Sequence, residues 1–144
     1  MNARLIVMLS MFGLAMAVAT VFWIPSNVEP VFWLPIFIFC GYAIARRCPA
    51  KRFQHGLLLG VVNSVWITTA HIVFSSEYLA RHASEAGMLQ SGPFPDSPRL
   101  MMALTGPLVG VISGAVIGVF ALVAGKLVRT HLAAEQHGSG HPER

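Results

Sequence analysis

The stretch LMMALTGPLVGVISGAVIGVFALVAG (residues 100–125) runs for 26 residues without one charged side chain. As a helix it exceeds the roughly 20 apolar residues that cross a hydrocarbon core about 30 Å thick. Three further runs share its character: LIVMLSMFGLAMAVATVFWI (5–24), VFWLPIFIFCGYAIA (31–45) and GLLLGVVNSVWITTAHIVF (56–74). The second is short and spans only by starting near Val28, with flanking residues reaching to the interfaces. Composition agrees, with 144 residues, 55% hydrophobic and 11% charged, and a mean hydropathy of +0.65. A soluble domain carries about 25% charged residues. The expectation is an all-α integral membrane protein, four transmembrane helices in an up-down-up-down bundle, with spans near 4–24, 29–46, 53–75 and 107–128. No length remains for a separate soluble domain. Arg4 followed by an apolar core and Ala15-Met16-Ala17 also fits a signal peptide. The run's continuation to Ile24 favours a span.

Charge orients the bundle. RRCPAKR (46–52) places four cations in seven residues between the second and third spans, and Arg4, Lys126 and Arg129 flank the first and last. The other two connections are acidic or balanced: Glu29 in one, and Glu77, Glu85 and Asp96 against Arg81 and Arg99 in the other. The positive-inside rule then places both termini in the cytoplasm of a cell (inner) membrane protein. The pI of 9.7 is accounted for by topology, so no nucleic-acid partner is expected. Arg46, Arg47, Lys51, Arg52, Lys126 and Arg129 read as inner-interface anchors. Trp23 and Trp33, in the near-duplicates VFWIP (21–25) and VFWLP (31–35), read as outer ones, with membrane lipid the implied partner. Pro25 and Pro30 bound a tight hairpin between them.

Beyond the third span, SSEYLARHASEA (75–86) continues as good helix sequence up to Gly87, supported by the Glu77–Arg81 pair. Residues 87–99, with prolines at 93, 95 and 98, form an outer loop. Gly106-Pro107 predicts a kink or a break, with a short interfacial helix at about 98–105. HLAAEQHGSGHPER (131–144) reads as a polar cytoplasmic tail.

Two patterns could carry function. Ser64, Thr68, His71, Ser75, Tyr78, His82 and Glu85 follow steps of 4, 3, 4, 3, 4 and 3, which holds them on one helix face with Gly60 below. Such a face turns toward protein or water. His71 lies near the outer boundary, as a hydrogen-bonded packing residue or as a proton- or ligand-handling one. Gly106, Gly110, Gly114 and Gly118 recur every four residues, a register for close backbone approach. The facing helix is either the third span, through Gly60 and Ser64, or the same span of another copy, the latter slightly favoured as a homo-oligomer contact.

SGAVIGVFA (113–121) resembles the serine-containing segment of rhomboid intramembrane proteases, approximately G-x-S-G-x-x-x-G. That resemblance implies Ser113 as nucleophile with His71 as its base. The chain departs from the pattern at Val111, in placing the histidine before the serine, and in having four spans. No G-x-S-x-G, H-E-x-x-H, Walker A or calcium-loop pattern occurs. Cys40 and Cys48 lack C-x-x-C spacing, and no metal or cofactor is expected. The leading expectation is an oligomeric channel or transporter-like protein for a small solute, ion or proton. An accessory or assembly subunit docking another membrane protein comes second, and an intramembrane serine hydrolase is the remote third.

Overall fold

A computed structural model describes residues 1–138, with side chains described as far as Val128. Its elements are all helical: α1 (Ala3–Phe22), α2 (Glu29–Arg47), α3 (Arg52–Val73), α4 (Ser75–Arg81), α5 (Ala83–Gln90) and α6 (Pro98–Gly138). Four of them are long and apolar enough to cross a membrane: α1, α2, α3 and the Pro98–Val128 part of α6.

Local sequence explains most boundaries. The Asn2 side chain caps α1 by accepting from the Leu5 amide at 3.1 Å. Glu29 and Pro30 open α2, where an anion favours the positive helix end and a missing amide costs nothing, while Arg46 and Arg47 close it. Lys51, at φ 56°, makes the reversal into α3 in left-handed geometry. His55 locks this corner: its Nδ1–H donates to the Lys51 carbonyl at 2.8 Å, and its Nε2 accepts the Asn2 amide at 3.0 Å. The N-terminal ends of α1 and α3 are thereby tied together.

The continuous helix expected through residue 86 is interrupted twice. Phe74 and His82 leave helical geometry, and α4 and α5 fold as separate short helices. At His82 both the backbone amide (3.0 Å) and the ring Nδ1 (2.8 Å) reach the Tyr78 carbonyl, closing α4 with a side chain. The expected interfacial segment 98–105 is the start of α6, which continues past Pro107. Pro107 withholds the amide that would meet the Ala103 carbonyl. The Thr105 hydroxyl bonds the neighbouring Met101 carbonyl at 2.9 Å. The helix also continues into the tail as far as Gly138; residues 139–144 and the Arg129 side chain lie outside the described residues.

α3 is the central helix, packed chiefly on α6 and α1, while α2 packs on α6. Asn2, Ser10 and Thr20 of the first segment meet His55, Trp66 and His71 respectively, so α1 and α3 run in the same direction. Against α6 the numbers run oppositely: Gly56 faces Gly118, Gly60 faces Gly114, Ser64 faces Gly110 and Thr68 faces Gly106. The glycine register thus packs on α3 of the same chain. A methyl group at Gly60 would fall on the backbone of Gly114. Dispersion contact along two bare backbones holds this approach. Leu5, Ile6, Leu9, Cys40, Ile44, Cys48, Leu59, Ile117 and Ala121 fill the space at the other end into one packed core. Both cysteines are free and buried there.

Candidate functional site

Above that core the helices leave a cavity of about 690 Å³. Gly60, Asn63, Ser64, Gly110 and Ser113 form its lower part, and Thr20, Trp33, Phe37, Ile67, Thr68 and Val109 its walls. At the end away from that core α5 covers it with Glu85, Met88 and Leu89, beside Glu29 at the start of α2 and Met101 and Met102 of α6. Apolar groups make up most of the surface, with a few polar atoms converging near the α5 end, as in a small-molecule pocket. The volume lies within the usual range of about 300–1,000 Å³ for such sites.

The polar stripe divides at this cavity. In its lower half, Ser64 donates to the Val61 carbonyl of its own helix at 2.8 Å, and Thr68 sits over Gly106. These two line the cavity and also form the packing seam. The upper half forms a stacked column. The His71 and Tyr78 rings lie 3.8 Å apart and 21° from parallel, and Tyr78 and His82 lie 4.1 Å apart and 19° from parallel. His71 Nε2 pairs with the Thr20 hydroxyl of α1 at 3.1 Å. The same hydroxyl lies 3.3 Å from the Ala17 carbonyl of its own helix. Ser75 accepts from Arg99 Nε at 3.0 Å, tying α4 to the start of α6.

His82 is 1% exposed. Its Nδ1–H is committed to Tyr78, and its Nε2 stands 3.8 Å from Glu29 Oε1, beyond hydrogen-bond reach. Neither of those two buried atoms has a hydrogen-bond partner among the described residues. Glu29 does receive the Trp33 indole N–H, one helical turn along α2. Trp33 is therefore partly buried in the cavity wall and tilted against Phe37, whereas Trp23 is 74% exposed.

Glu85 is held by its neighbours. Burial alone raises a carboxyl group, but hydrogen bonds from Ser84 and from Ser26 in the α1–α2 connection outweigh it and keep Glu85 below the ordinary carboxylate value. Tyr78 is pushed the other way, by burial first and then by the nearby Glu29 and Glu85 charges. The phenol stays protonated.

Several site residues carried no signal in the sequence. Thr20, Glu29 and Asn63 sit in apolar or turn contexts and reach the site only through packing. Asn63 is 4% exposed, and its side chain lies against Gly13 of α1 with Oδ1 lacking a hydrogen-bond partner among the described residues. Ser113 and His71 line the same cavity. With Gly60 opposite Gly114, however, Ser113 stands at the level of Val61, about 15 Å along the helix axis from His71. Ser113 and His71 therefore do not meet as a dyad in this arrangement. Among the described residues no group of three or more His, Cys, Asp or Glu could hold a metal ion.

At the other end, Arg46 bonds the Tyr42 hydroxyl at 3.3 Å and lies 5.9 Å from its ring centre, and Arg52 donates to the Cys48 carbonyl at 3.0 Å. Arg47, Lys51 and Lys126 are exposed. No protein-family model, curated protein or solved structure matches the chain.

Proposed function

We propose that the protein binds a small amphipathic solute in the outer half of the membrane, as a transporter-like protein with a complete site in each chain. The spans run up-down-up-down with cytoplasmic termini, a reading supported by the Arg46–Arg52 cluster and the acidic opposite connections. The observation that carries the proposal is the cavity with a packed floor. Leu9, Cys40, Ile44, Leu59 and Ile117 fill the chain below Gly60 and Ser113, so the arrangement favours a bound solute over a standing ionic pore. Movement across the membrane would then require this floor to rearrange. Because the glycines of α6 face α3, the cavity needs no second copy to complete it.

Nile red, a neutral solvatochromic dye, serves as the probe in nanodiscs. Saturable binding of one dye per chain is expected, reduced at least tenfold in Ile67→Trp, whose indole fills the cavity. Planar-bilayer recordings are expected to show no steady conductance. Dye binding indifferent to Ile67→Trp, or sustained ionic current, overturns the reading.

A further inference from the structure

Resting on the cavity as a solute site, we propose that its ligand is an organic cation, a protonated amine or onium group on an apolar body. The cationic head would lie at the outer end between Glu29 and Glu85, and the body would descend along Ile67, Val109 and Met101. The charge of the lining decides the class. Among the described residues Glu29 and Glu85 are the formal charges on the cavity wall, with no lysine or arginine lining it. Arg99, the cation on the adjoining turn of α6, is directed to Ser75. An anionic head would enter beside two carboxylates with no cationic side chain on the wall to offset them.

Geometry at Glu29 is consistent with an incoming cation. The Trp33 indole N–H lies beside the carboxylate. Oε1 is buried without a hydrogen-bond donor, and the His82 ring stands behind it at 3.8 Å. Glu85 approaches from α5, held by Ser84 and Ser26. Trp33 lines the same end of the cavity, and indole rings attract alkylammonium and onium groups. Methionines at 88, 101 and 102 add polarizable, adaptable surface for a body of variable shape.

Tetraphenylphosphonium and tetraphenylborate share a shape and differ in sign, so the comparison in wild-type nanodiscs needs no variant. After subtraction of partitioning into empty nanodiscs, the phosphonium is expected to bind one per chain and at least tenfold more tightly than the borate. Glu29→Gln and Glu85→Gln are each expected to weaken phosphonium binding about tenfold. Glu85 sits at the surface, so its variant keeps the test sound if Glu29→Gln folds poorly. Borate binding equal to or tighter than phosphonium, or phosphonium binding indifferent to both substitutions, overturns the cation assignment while Nile red still reports the cavity. Loss of Nile red binding in the wild type removes both readings together.

Discussion

At the scale of single residues, glycine at position 60 and glycine at position 87 have opposite environments. A methyl group at Gly60 meets the backbone of Gly114, which cannot turn aside, whereas one at Gly87 meets nothing within 4 Å. Gly60→Ala is therefore expected to destabilise the fold by about 1–3 kcal/mol. Gly87→Ala, inside α5, is expected to be neutral or stabilising by up to about 1 kcal/mol. Unfolding titrations in mixed micelles measure both; equal effects would remove the backbone contact from the account. Thr20→Val tests the polar link between α1 and α3, with an expected loss of about 0.6 kcal/mol, typical of one hydrogen bond between membrane helices. The four-residue glycine spacing was legible in the sequence because it needs no tertiary knowledge. Which helix it faces was not, since Gly60 and Ser64 offered one partner and a second copy offered another. Glu29 was legible only as a loop charge. Its place opposite His82 comes from the way α2 returns beside α4.

At the scale of elements, α5 is joined to the α1–α2 connection through Glu85 and Ser26. Glu85 titrates below its ordinary value in the fold, so its tie contributes fully above the ordinary carboxylate range. It is lost as pH falls through the lowered value. Amide exchange in α5 is thus expected to accelerate in acid ahead of exchange in α1 and α3, and Ser26→Ala to shift the onset upward in pH. Uniform acceleration across all helices would contradict a local tie. The breaks at Phe74 and His82 escaped the sequence for a definite reason. SSEYLARHASEA has helical propensity throughout, and His82 leaves the helix because its ring is buried against Tyr78 and bonds that residue's carbonyl. Propensity yields here to a tertiary contact.

For the whole molecule, the absence of charge over four long runs announced four membrane-length helices, and those helices are present. The cavity was not legible, because it is assembled from all six helices and largely from residues individually at home in any apolar span. Orientation is open to direct measurement. A cysteine at Ser91 is expected to react with a membrane-impermeant maleimide in intact cells, and one at Ala50 only after permeabilisation. The reverse pattern would invert the bundle. The native thiols interfere little, since Cys40 and Cys48 are buried and burial holds the Cys48 thiol above its usual value.

The packed floor below the cavity also bears on how such a chain can change. The Leu9–Ile44–Leu59–Ile117 core and the glycine seam hold the helices together, while Ile67, Met88, Met101 and Val109 shape the space above. Substitutions among the latter alter the shape of the cavity without disturbing the packed core. On the proposed reading as a solute site, selection could retune the recognised compound while the scaffold's assembly stays intact, a separation that makes this small bundle a tractable starting point for redesign.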